Sequence, residues 1–507
     1  MLQNSWRSLR PTLLAMSALM PSAHANETKT ADKAASQAHE ASIPHGNWRA
    51  VVAGRLENGM RFAILPRTGN EPGLGLLMRN EGGFIAERRP GERGLAHLIE
   101  HLFLVSPTTR APDELRHFIR IGLPLTFPAP SAGTTSWRET NYFLSTRTTK
   151  AADLGTLLDL FREAATDLTF RADAVDDQRA DVMREMAGRK PGNDIYASYI
   201  AAVAPRSPND MIDAQNSDDV PTASVETIRG LYRRLYRPEK MMIVVVGNVD
   251  VTQVKMLIEQ RFGNWRGEAA TAASPAPVFQ ADRIQPISFS ALPQGRRTAL
   301  ITVVTPTPSP PASRDEQAAR MLMDLLATRA VNDRLALVQP AGPTGKVGVF
   351  VENGEQGHRQ IMVWDNFAGD AWRPAVAGLR KMTCDLATIG FSDQEWSAAK
   401  QGVIQELEQR ASGMAAVPNV DLAKDLSHAL AAGEDLIPPD ELLRRARIWL
   451  PSVDTRGGNR WWRRQWHAGR EHIRVELPEL AQIKDPAAAI RLAADAAVQD
   501  GGCKIRW

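Results

Sequence analysis

Only two cysteines, Cys384 and Cys503, occur in 507 residues. Two thiols make neither a disulfide framework nor a zinc–thiolate cluster, so the chain has to be held together by its core. Whether they pair with each other stays open. An excess of one charge is missing too. Sixty-one Lys and Arg face 58 Asp and Glu, a net of +3, with the basic residues spread along the chain. No arginine stripe interleaved with stacking aromatics stands out, which argues against nucleic acid as the main partner. The local exception, Asn459 to Trp466, reads as an amphipathic helix that packs its tryptophans and solvates its arginines. Apolar runs long enough for a transmembrane helix are absent, the N-terminal run included. What is there is an ordinary globular composition, 43% hydrophobic and 23% charged, of a length that suits about two to four domains.

At the N-terminus, Arg7 and Arg10 precede the apolar run Pro11 to Met20, and Ala23-His24-Ala25 fits a small-x-small cleavage site. Residues 1–25 therefore read as a secretory signal peptide, with no integral membrane segment left after cleavage. The mature chain is expected to be secreted, or periplasmic in a Gram-negative cell. Residues 26–46 lack apolar periodicity and read as a flexible leader.

Order is expected from Trp48. Asn58-Gly59 between Val51–Leu56 and Met60–Leu65 signals a hairpin, and Leu74–Met78 reads as a third strand. Helices are expected at Asp113–Ile121, Ala151–Leu168, Asp173–Ala187, Val225–Tyr236 and Val251–Phe262, with strands around Asn141–Leu144 and Met241–Val249. Residues 267–286 form the clearest linker. Beyond it strands again give way to helices and then to a late strand, His472–Leu477, which suggests an internal repeat of about 220 residues. Grouped strands followed by helices favour an α+β layer fold. The organisation is thus a domain over 47–266, the linker, and a second domain over 287–507.

One stretch carries chemistry. In His97-Leu98-Ile99-Glu100-His101 the histidines lie one helical turn apart on one face, the spacing two imidazoles need to bind one zinc ion. Leu95, Leu98, Ile99 and Leu102 gather behind them. Catalytic zinc wants three protein ligands and an open position, and Glu185 in Asp181-Val182-Met183-Arg184-Glu185-Met186 is the best third candidate. One bound Zn²⁺ would lower the pKa of a water to about 7, and Glu100 would take its proton during attack on a peptide carbonyl. His117, His358 and His428 are isolated and read as structural or solvated.

The order His-x-x-Glu-His resembles the pitrilysin/insulinase family of zinc metallopeptidases, the inverzincins. Leu56-Glu57-Asn58-Gly59-Met60, Gly82-Gly83 with Glu87, Gly94-Leu95-Ala96-His97, Thr140-Asn141-Tyr142, Val182-Met183-Arg184-Glu185, Tyr236-Arg237-Pro238-Glu239 and Phe262-Gly263-Asn264-Trp265 look like that family as well. The likeness runs firmly from Trp48 to Trp265 and more weakly beyond. It implies His97, His101 and Glu185 as ligands of one zinc and Glu100 as base. It also implies two homologous α+β domains, each an antiparallel-rich sheet packed against helices, with metal in the first only, resembling half of a clamshell peptidase.

The chain departs from the family pattern in several places. Gln178 stands where the family commonly has a second carboxylate supporting the site. The separation of His101 from Glu185 implies a modest insertion. The substrate-pairing strand, usually Asn-Ala-x-Thr, reads Ser131-Ala132-Gly133-Thr134-Thr135, leaving Ala132, Gly133 and Thr134 as candidates for backbone pairing with substrate. No stretch supplies the Arg and Tyr of a second clamshell half, so a homodimer or a heterodimer with a related subunit is expected. The leading expectation is an exported zinc endopeptidase acting on peptides or unfolded segments. A non-catalytic or weakly active subunit that keeps fold and metal site is the alternative.

Overall fold

The structure, a computed structural model, describes residues 51–68, 73–112, 125–126, 132–204, 217–267, 280–292, 296–338, 346–353 and 357–498. The expected signal peptide, leader, Asp113–Ile121 helix with His117, most of the linker, and Cys503 lie outside the described residues. No helix among those described is long and apolar enough to cross a membrane. Cys384 is disulfide-bonded.

The fold is α+β, built around two sheets. The first is made by β1 (Val52–Arg55), β2 (Arg61–Pro66), β3 (Leu74–Asn80), β4 (Leu125–Thr126), β5 (Gly133–Thr135), β6 (Thr140–Thr146) and β7 (Met241–Gly247), in the order β1-β2-β7-β3-β6-β4, with β5 on β6. Only β2 and β7 run parallel. Helices α1 (Leu95–Val105), α2 (Ala151–Thr166), α3 (Ala172–Val203), α4 (Val225–Leu235) and α5 (Val251–Phe262) belong to this half of the chain. The β1–β2 hairpin turns at Asn58-Gly59, with Gly59 at φ +90°. Asn58 also donates its amide to the carbonyls of Phe262 (2.6 Å) and Trp265 (3.1 Å), so a turn residue pins the end of α5.

The second sheet contains β8 (Ile287–Ser290), β9 (Thr298–Pro306), β10 (Lys346–Asn353), β11 (His358–Asn366) and β12 (Arg470–Glu476), in the order β10-β11-β9-β12-β8. Here the parallel pair is β12 with β8. Around it pack α6 (Arg314–Val338), α7 (Trp372–Thr388), α8 (Asp393–Gly413), α9 (Asn419–Ala431), α10 (Pro439–Trp449), α11 (Thr455–Ala468) and α12 (Pro486–Ala496). The run β2-β7-β3-β6 is matched by β8-β12-β9-β11, strand for strand in order and direction. In each half an early strand is paired in parallel with the last one. The helix that follows β9, α6, contains no histidine, so the second half carries no counterpart of the His97 motif. Trp461, Trp462 and Trp466 of α11 are buried, and Arg463 donates to the carbonyls of Ala387, Thr388 and Ile389 at the end of α7.

Each sheet has one face covered by helices of its own half and the other by a helix of the opposite half. Val420, Leu422, Ala423 and Leu426 of α9 pack on Ala63, Leu65, Leu77, Val244 and Val246 of the first sheet. Tyr199, Ile200 and Val203 at the end of α3 pack on Leu300, Val304 and Met362 of the second. Burial on both faces accounts for the unbroken apolar run of β7, Met-Met-Ile-Val-Val-Val.

Candidate metal centre and catalytic base

The motif helix α1 is anchored at both ends before it presents any chemistry. Gly94, just before it, sits at φ +84°, where a side chain would be strained. It offers no cap of its own. Glu87 supplies one, accepting the N–H of Gly94 (2.9 Å) and of Ala96 (2.7 Å). Leu95, Leu98, Ile99 and Leu102 are wholly buried, and Phe103 stacks on Tyr142 of β6 at 3.7 Å between centroids. Rotation of α1 about its axis is thereby fixed.

On its other side α1 meets α3. His97 and His101 stand edge to face, with 4.8 Å between ring centroids. Glu185 Oε2 lies 3.3 Å from His101 Nε2 and 3.8 Å from His97 Nε2. Among the described residues these three side chains are the one His/Cys/Asp/Glu group spaced to hold a metal ion, all three ligand atoms lying within 4.8 Å of one another. Donors about 2.1 Å from one ion at tetrahedral angles stand about 3.4 Å apart, so the spacing and the donor types fit zinc.

The electrostatics suit a cation. Burial holds His97 down to about 3, with the His101 charge adding to it, so its ring is a neutral ligand near pH 7. Burial would lower His101 as well, but its hydrogen bond to Glu185 and the nearby Glu100 raise it above the ordinary histidine value. Burial alone would raise Glu185. The bond to His101 and the His97 and Arg189 charges overcome that and hold it at about 2. Glu185 is thus an anion with one oxygen facing the histidines. Its other oxygen pairs with Arg189, one turn further along α3.

Gln178 Oε1 is 3.2 Å from His101 Nδ1, where an amide oxygen accepts the ring N–H as a carboxylate would. His97 has no such support, because its Nδ1 is buried without a hydrogen-bond partner among the described residues. Glu100 Oε2 is 4.0 Å from His97 Nε2. Burial pushes this carboxyl up to about 7, against the pull of His101 and of the Thr135 hydroxyl that donates to it at 2.9 Å. A buried carboxyl beside a cation site is placed to serve as a general base.

Of the strand residues expected at the substrate, Ala132 lies just before β5 and its carbonyl accepts the N–H of Phe143, which ties β5 to β6. Thr134 pairs across with Asn141. Gly133 packs against Glu100. Two residues at the site escape sequence reasoning: Thr135, whose contact depends on strand register, and Arg189. The latter carries a signal, the i,i+4 spacing from Glu185 on one helix.

With this geometry in hand, two family models match the chain. Residues 83–191 match insulinase (peptidase family M16) and residues 222–403 match the peptidase M16 inactive domain, together more than half of the chain. The chain belongs to the pitrilysin/insulinase family. Within M16 it is similar to the probable zinc protease PqqL of Escherichia coli (strain K12), 27% identical over 218 residues, which cover 41% of this chain and 22% of PqqL. The crystal structure of that periplasmic protease superposes with a TM-score of 0.74 at 19% identity, over 90% of this chain and 51% of PqqL. The crystal structure of its first half gives 0.74 over 91% and 99%. This chain therefore spans about half the length of the full relative. The family model described as inactive covers residues 222–403, from just before α4 of the first half into α8 of the second, and α6 within that range has no histidine.

Proposed function

We propose that this chain is an exported zinc metalloendopeptidase hydrolysing peptides or unfolded polypeptide segments. The observation that carries the reading is the convergence of His97 Nε2, His101 Nε2 and Glu185 Oε2 beside a buried carboxylate, Glu100. His97, His101 and Glu185 would hold the ion, and zinc bound there would supply a Lewis acid for the scissile carbonyl and for water. Glu100 takes a proton from the attacking water and returns it to the leaving nitrogen. Gln178 holds the His101 ring through Nδ1. An extended substrate adds to β5 as a further strand, its backbone supplying affinity without regard to sequence. The domains are the metal-binding 47–266 and the metal-free 287–507, joined by 267–286. The chamber is closed by a second chain, either another copy or a related subunit. The signal-peptide pattern read in residues 1–25 supports export, as does the disulfide at Cys384, which fits an oxidising compartment.

Chelation should abolish hydrolysis of an unstructured peptide and zinc should restore it. Glu100→Gln should keep one zinc per chain and lose about 10²–10⁴-fold in kcat. Undiminished hydrolysis by that variant would sink the assignment. A second reading, a weakly active or non-catalytic subunit with an intact metal site, draws on Gln178 and Arg189, which leave the zinc ligands less anionic surroundings. Full zinc occupancy with no hydrolysis, alone or with a related subunit, would favour it.

A further inference from the structure

Glu100 is bounded on two sides, and both boundaries belong to one three-residue strand. Gly133 and Thr135 are two apart on β5 and so turn the same face to α1. The Thr135 hydroxyl donates to Glu100 Oε2 at 2.9 Å. Among the described residues no other side chain donates a hydrogen bond to this carboxylate. Thr140, across the pair, has its hydroxyl 3.4 Å from that of Thr135 and 3.2 Å from the Gly82 carbonyl; the carboxylate at 2.9 Å is the closer and stronger acceptor for the Thr135 proton. At the other oxygen the strand backbone comes so close that a Cβ at position 133 would stand 2.6 Å from Oε1 and 3.0 Å from Cγ. Glycine is the residue that lets β5 approach. A carboxylate on three rotatable bonds next to an ion would otherwise swing between ligand and base. Here one oxygen is tethered and the other walled.

We propose that Thr135 is a positioning residue for Glu100, its hydroxyl fixing the carboxylate in the orientation of a base while Gly133 makes room for it. The proposal rests on the peptidase reading above. Among the described strands β5 pairs with β6 alone. The element that would receive the substrate strand is then also the one that sets the base, and the two are held in a single register.

The test uses the zinc-loaded full chain and an unstructured, quenched-fluorescence peptide. Thr135→Val keeps the side-chain shape and removes the donor, so kcat should fall about 10–100-fold with KM within about twofold and zinc content unchanged. Thr135→Ser restores a hydroxyl and should recover to within about threefold of wild type. Gly133→Ala, which displaces Glu100 by a different route, should also lower kcat at full zinc occupancy. Wild-type kcat in Thr135→Val or Gly133→Ala overturns the proposal and leaves the peptidase standing. So does a rise in KM alone, or a Ser variant as impaired as Val. A zinc-loaded wild type that hydrolyses nothing, alone or with a related subunit, overturns the peptidase reading and the proposal with it.

Discussion

At His101 Nδ1 an amide oxygen stands where a carboxylate would add a full negative charge. Gln178 keeps the hydrogen bond and gives up the charge. Gln178→Glu should therefore tighten zinc about tenfold or more, and Gln178→Ala should weaken it about 10–100-fold, both read by competition with a chromophoric chelator. Equal affinities in all three proteins would show that Nδ1 needs no partner. The residues of His-x-x-Glu-His are legible because one turn of one helix fixes their spacing, whatever the rest of the chain does. Glu185 is legible as a carboxylate in an amphipathic helical stretch that looks like the family. Thr135 is not, because its bond to Glu100 crosses 35 residues of chain and exists only for one pairing of β5 with β6.

The N-terminus of α1 depends on Glu87, a carboxylate 5% exposed that bonds two backbone N–H groups. Burial pushes it up to about 8, the two N–H groups pull it down, and Glu92 and Asp219 add to the rise. A folded-state value above the ordinary carboxylate value means the folded protein binds the proton more tightly than the unfolded chain. The stability that proton brings is full below about pH 4.5 and is lost as pH rises through about 8. The urea midpoint of wild type relative to Glu87→Gln should therefore fall between pH 5 and pH 8.5. A difference that stays flat would place the titration elsewhere. Most elements could be read from local pattern: the Asn-Gly hairpin, the apolar β7, and α5 with its Asp250 cap. The pattern fails where neighbours decide. β8, Ile-Ser-Phe-Ser, follows the linker as only four residues, too short to stand out as a strand, and exists by pairing with β12. Helix α3 runs past Ala187 to Val203 because its end is needed on the second sheet. Helix α12 went unread in the Ala-rich stretch after Pro486, where Asp485 caps it.

Two buried arginines join the halves. Arg67 at the end of β2 donates to the carbonyls of Met414 (2.7 Å), Ala415 (3.0 Å) and Val417 (2.6 Å) and to Asn419 Oδ1 (2.9 Å). Arg474 of β12, fully buried, donates to Ile195 O (3.0 Å) and Ser198 Oγ (2.7 Å) of α3. Arg67→Met would strip three carbonyls of their donor and should cost about 2–4 kcal/mol of unfolding free energy, measured by urea denaturation. A loss under about 0.5 kcal/mol would mean that water replaces the guanidinium. The repeat is legible as strands, helices and a late strand recurring; the covering of each sheet on both faces is not, since nothing local in Val420 or Leu426 names the strand it will meet.

Because α3 and α9 are each on loan to the opposite sheet, the peptide chain between residues 268 and 279 is not what keeps the two parts together. A protease nick there should leave two fragments that co-elute and melt in one transition. Fragments 47–270 and 280–507 made separately should each precipitate or stay unfolded, with an apolar sheet face bare, and should recover the full-chain fold when refolded as a mixture. Soluble, independently folded fragments would show that the borrowed helices are accessories. Complementation would make the molecule a natural split protein.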